Sequence, residues 1–94
     1  MKNLQILLFT SPTCGPCKQL KPNMVKLQSQ HQFKMRLVEL GDDTRSQFEG
    51  YGVRQVPFVI CEDVESGERV GQFFGAQALP ILEDKLKKWG VIPQ

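Results

Sequence analysis

The sequence predicts an α/β domain in the order β-α-β-α-β-β-α, a four-stranded mixed sheet flanked by three helices. Three observations carry that prediction. Short apolar runs at residues 4–9 and 56–61 alternate with segments whose apolar residues recur at helical spacing. A strand, a helix and a strand at the front of the chain call for a parallel pair joined by a right-handed crossover. Ser66-Gly67 lies between two strand-like segments at the back and closes an antiparallel hairpin. With 94 residues there is material for one core and not for two, so the expectation is a single domain over residues 1–94.

Each element has its own signal. Residues 4–9 form a short apolar run, continuous from Ile6 to Phe9, which suits a strand covered on both faces. From Cys14 to about His31, Leu20, Met24 and Leu27 stand at i, i+4 and i+7, one face of a helix that Pro22 should kink. Residues 33–40 alternate Phe33, Met35 and Leu37 with Lys34 and Arg36, the period of a second strand. Asp42 or Asp43 is the expected N-cap of a short helix that runs to Tyr51 and stops at Gly52. The third strand, 56–61, begins at a proline, and the fourth, 69–74, is broken by Gly75. From about Ala78, Leu79, Leu82, Leu86 and Trp89 mark a last helix ending at Gly90, its acids ahead of its lysines as the helix dipole favours.

Bulk composition excludes several classes. Net charge is +2 with the basic residues dispersed, which gives no footprint for nucleic acid or an anionic membrane. The longest apolar run is far shorter than a membrane span. Met1-Lys2 ahead of it imitates a leader, but the apolar stretch is short and no small-residue cleavage site follows, so the chain reads as cytoplasmic. In that compartment ordinary thiols stay reduced, and three cysteines do not make a disulfide scaffold.

The chemistry concentrates in Cys14-Gly15-Pro16-Cys17, between the first strand and the first helix. A sulfur at a helix start lies beside unpaired N–H groups at the positive end of the dipole, which favours thiolate, the attacking species. The second cysteine lies one turn inside, close enough to close a disulfide on the first. Pro16 stiffens the loop and favours the helix start. A zinc site would need about four ligands, and Cys61 and His31 are the other soft donors, neither at paired spacing. A structural bridge across two residues closes too short a loop to stabilise much. The pattern therefore reads as a redox pair, with Cys14 attacking and Cys17 resolving.

"TCGPCKQLKP", followed some forty residues later by "YGVRQVPFVI", resembles the thioredoxin family over nearly the whole chain. Family members carry an additional N-terminal strand and helix, so in size the chain is closer to a glutaredoxin or a minimal thioredoxin. The resemblance implies a thioredoxin-like fold and a dithiol–disulfide cycle that reduces protein disulfides, without metal or other cofactor, in a monomer. It makes Pro57 the family's cis-proline, with the Val56 backbone free to pair with an extended substrate. Gly75 and Ala76 fall in the loop after the last strand, where small residues let substrate approach, and Thr13, Gly15 and Pro16 complete the binding rim. Thr13 stands where the family has tryptophan, and Leu8 where it has a buried aspartate that serves the resolving thiol. Glu39, at the position of a family lysine on the next strand, is either the substitute for that acid, held against Leu8 in apolar surroundings, or a solvated strand residue.

Two rivals remain. A glutathione-reset, glutaredoxin-like reductase would need basic groups at the groove, for which Arg54 and Lys18 are available. A non-catalytic adaptor of the same fold would bind partners beside Pro57. The electron donor is accordingly a reductase or glutathione. Elsewhere, Cys61 reads as a buried hydrophobe, His31 and the Asp42-Asp43 pair as helix-end residues, and Trp89 as packing.

Overall fold

The computed structural model describes residues 3–94; Met1 and Lys2, the start of the leader-like stretch, lie outside the described residues. The elements run β1 (Leu4–Thr10), α1 (Gly15–His31), β2 (Lys34–Glu39), α2 (Arg45–Tyr51), β3 (Phe58–Asp63), β4 (Arg69–Phe74) and α3 (Leu79–Trp89). Strand order in the sheet is β2-β1-β3-β4. β1 pairs with β2 in parallel and with β3 antiparallel, and β3 and β4 form the hairpin. The predicted mixed sheet and element order are those observed.

The central position of β1 explains its composition. Ile6, Leu7, Leu8 and Phe9 are all buried, and alternation sends them to opposite faces. Ile6 and Leu8 pack with Leu20, Met24 and Leu27 of α1 and Leu82 and Leu86 of α3. Leu7 and Phe9 pack with Phe48 of α2, Val53 and Ile60. The sheet is thus the middle of three layers, with α1 and α3 on one face and α2 on the other. Each such side chain contributes about 1.5–3 kcal/mol on burial, so the strand leading to Cys14 is one of the best-anchored segments of the chain.

Several boundaries and contacts differ from the sequence expectations. β2 lies at the sheet edge, so the alternation expected to bury Leu37 leaves it exposed, beyond the cover of α1; on the other face Val38 is buried in the cluster that contains Phe48 and Val53. Neither Asp42 nor Asp43 caps α2. The N-cap position falls to Thr44, which makes no side-chain cap bond. Its hydroxyl is spent on the preceding turn, donating to the Glu39 carbonyl and accepting from the Gly41 N–H at 3.1 Å. β3 starts at Phe58 rather than Val56, because Pro57 has no N–H for the ladder. α1 continues past Pro22 as one 17-residue helix.

At the end of the sheet where β1 begins lies a buried acid that sequence reading passed over. Glu62 of β3 is 6% exposed. Tyr51 donates its hydroxyl to both carboxylate oxygens, at 2.7 and 3.0 Å, and Gln5 Nε2 donates at 3.2 Å. Arg69 stacks 5.6 Å from the centroid of the Tyr51 ring and donates to the Tyr51 carbonyl. Burial, and then the hydrogen bond to Glu62, push the Tyr51 phenol above its ordinary range. On the other face, Trp89 stacks on Phe73 at 6.0 Å and covers Gly71, where even one Cβ would collide with the indole.

Candidate active site

β1 delivers its C-terminal end to a short loop that is turned by its own polar groups. The Ser11 and Thr13 hydroxyls lie 3.2 Å apart, and Cys14 N–H donates to the Ser11 carbonyl at 3.2 Å. Cys14 then occupies the N-cap of α1 in extended conformation. Its Sγ accepts from the Cys17 N–H at 3.1 Å, one of the orphan donors of the first helical turn. Pro16 falls within that turn, where its missing N–H costs nothing. Cys14 and Cys17 form a disulfide with Cα atoms 5.3 Å apart. The two sulfurs are inequivalent: Cys14 is half-exposed, whereas Cys17 is 4% exposed.

Three further segments meet the same end of the sheet. Phe58 pairs with Phe9 on one side and Phe74 on the other, so the residues flanking both fall at the end where β1 leads to Cys14. The Val56–Pro57 peptide is cis. Gly75 donates its N–H to the Pro57 carbonyl at 2.9 Å, tying the two loops together. Gly75 has φ +96°, a conformation that side chains resist. Thr13, Gly15 and Pro16 are exposed, and Val56 and Ala76 half-buried. Phe74, which precedes Gly75 and Ala76 at the loop after the last strand, is half-exposed at this rim.

The register corrects the expected setting of Glu39. Its partner across β1 and β2 is Thr10, and Leu8 faces Leu37 instead. The carboxylate is exposed, not enclosed by apolar side chains. It does share a cleft of about 130 Å³ with the buried Cys17, lined by Thr10, Ser11, Pro12, Cys17, Lys18, Lys21 and Glu39. Thr10 and Lys21 were missed from sequence. Their signals are a polar residue closing an apolar strand and a lysine one helical turn beyond Cys17.

The other candidates lie apart from this geometry. Cys61 is fully buried in the cluster between the sheet and α1 and α3. His31 is exposed in the last turn of α1, and Arg54 is exposed between α2 and β3. Among the described residues no group of three His, Cys, Asp or Glu side chains is arranged to hold a metal ion, and no helix is long and apolar enough to cross a membrane.

The Thioredoxin family model matches residues 1–88. Similar proteins include thioredoxins from Porphyra purpurea, 30% identical over 86% of this chain and 75% of its own, and from Synechocystis sp., 32% identical with the same coverage. An M-type chloroplastic thioredoxin of Pisum sativum is 29% identical over 86% of this chain and 46% of that protein. Among solved structures, Fasciola hepatica thioredoxin superposes with a TM-score of 0.81 at 22% identity, over 93% of this chain and 81% of its own. Thioredoxin f from spinach chloroplast gives 0.82 at 20%, over 95% and 78%, a likeness of fold.

Proposed function

The chain belongs to the thioredoxin family, and from that premise we propose that Cys14 and Cys17 cycle between dithiol and disulfide to reduce disulfides in other proteins. Thiol–disulfide oxidoreduction is the chemistry of the family, and disulfide-containing proteins are its substrates. The observation that carries the assignment of roles is the inequivalence of the two sulfurs, one half-exposed at a helix start and one buried a turn further in. In this reading the Cys14 thiolate attacks a substrate disulfide and forms a mixed disulfide. Cys17 then attacks Cys14, releasing the reduced substrate and closing the intramolecular bridge. Thr13, Gly15 and Pro16 on one side, and Val56, Pro57, Gly75 and Ala76 on the other, form the groove for an extended substrate segment. The Val56 backbone offers it strand-like hydrogen bonds.

The bridge is reset by an external electron donor, which we take to be a reductase, with glutathione as the alternative. We further propose that residues 1–94 act as one domain and one monomer, in the cytoplasm, where reducing conditions keep the cycle supplied. Insulin-disulfide reduction followed with NADPH and thioredoxin reductase, and separately with glutathione and its reductase, tests the reading. Turnover with the first donor and little with the second is expected. Turnover with glutathione alone would favour the glutaredoxin-like alternative. No turnover with either, together with non-covalent partner binding that survives Cys14→Ser, would make the protein an adaptor.

A further inference from the structure

Resolution of the mixed disulfide requires Cys17 to lose its proton, because the thiolate and not the thiol attacks. On the Cys14 side the sulfur is covered by the bound substrate at that moment. A cleft open to solvent lies behind it, lined in part by Cys17, with room for several water molecules. Its lining contains few groups able to receive a proton. Lys18 and Lys21 carry ammonium groups, which donate and do not accept, and the hydroxyls of Thr10 and Ser11 relay protons without retaining them. Pro12 has no ionisable group. Glu39 supplies the one carboxylate of the lining. The parallel register fixes it there, opposite Thr10 on the neighbouring strand, at the end of the sheet from which the loop to Cys14 departs.

We infer that this cleft is the proton port of the resolving step and that Glu39 is its acceptor, working through water held between the carboxylate and Cys17. The inference rests on the Cys14–Cys17 cycle proposed above and adds a residue to it. In the step, the Cys17 proton passes through water to Glu39, and the Cys17 thiolate attacks the Cys14 sulfur. The Cys14–Cys17 bond forms as the bond from Cys14 to the substrate sulfur breaks. The substrate departs as a thiolate and takes up a proton from solvent, to which Glu39 returns its own. Two electrons move from the protein dithiol to the substrate, and no other reactant is needed. The titratable groups facing Glu39 across the cleft are Cys17, Lys18 and Lys21, all from α1; β1 and the loop after it contribute Thr10, Ser11 and Pro12, none of them charged.

The test is single-turnover reduction of a chromogenic disulfide by the fully reduced protein. Mixed-disulfide formation and release of the second thiol are followed separately from pH 5 to 9. Glu39→Gln should leave formation unchanged and slow release roughly 10- to 100-fold, at or below the low end of general-base effects. The pH dependence of release should flatten at the same time. Glu39→Ala should behave likewise and regain rate in proportion to added formate, a carboxylate small enough to enter the cleft; a residue with a merely structural role would not respond. Release in Glu39→Gln with the parent's rate and pH profile overturns the inference and makes solvent water the direct acceptor. Failure of the parent to form a mixed disulfide at all is a different result: it removes the cycle itself, and this proposal with it.

Discussion

Replacing Tyr51 by phenylalanine isolates the buried acid of the sheet with the smallest possible change. The hydroxyl donates to both oxygens of the Glu62 carboxylate, which is almost fully removed from water and retains Gln5 as its other side-chain donor. A hydrogen bond to a charged group is worth about 1.5–3 kcal/mol, and loss of the donor leaves the carboxylate under-satisfied in place. A loss near 2 kcal/mol corresponds to a fall in Tm of roughly 10 °C for a domain of this size. The pH dependence adds a second, sharper readout. Burial first, and then the hydrogen bond to Glu62, raise the phenol of Tyr51 in the folded protein. Above pH ~10 the unfolded chain's tyrosine ionises while the folded one keeps its proton, so the unfolded state binds fewer protons and stability falls with rising pH. The contribution is whole below about pH 10 and is lost as pH climbs through the folded value. Urea denaturation of parent and Tyr51→Phe between pH 7 and 11 should therefore show a gap that is constant to about pH 10 and then narrows. Insulin reduction should be unaffected, since Glu62 lies at the sheet end away from Cys14. Equal stability at pH 7, or a gap that persists unchanged to pH 11, would refute the reasoning.

Other expectations follow from single features. After reduction, brief alkylation at mildly acidic pH should label Cys14 first, Cys17 later and the fully buried Cys61 last, as peptide mapping by mass can establish. Cys17→Ser should accumulate mixed disulfides with substrate proteins on non-reducing gels, and Cys14→Ser should accumulate few. Gly71→Ala should force the Trp89 indole off its seat against Phe73, costing about 1–3 kcal/mol as overpacking does. The accompanying shift in tryptophan fluorescence checks the cause, since the chain has a single tryptophan.

Much of the architecture was legible because local and global signals agree. The apolar stretch of β1, the i, i+4, i+7 stripe of α1 and the turn at Ser66-Gly67 each admit one reading, and the element order follows from them. The redox pair was legible because its chemistry depends on spacing and on a helix start, both local properties. What escaped depended on sheet order. Nothing in residues 33–40 states that β2 is an edge strand, so Leu37 was expected inside and Val38 was not singled out. The partner of Glu39 depends on register with β1, which no single segment specifies, and the lining of the Cys17 cleft joins two segments that sequence alone leaves apart. Glu62 was invisible for the same reason: its donors come from residues 11 and 57 positions away.

The disulfide joins residues three apart within one helical turn and ties no two elements of the fold together. Its opening and closing therefore change the chain's loop-closure entropy less than a bridge between distant segments would. On that ground the stabilities of oxidised and reduced forms should differ by about 2 kcal/mol at most, so substrate and donor each meet much the same scaffold. Electron traffic is in this sense decoupled from folding. On this reading the molecule should be recharged without passing through the loosened states that proteases and aggregation exploit.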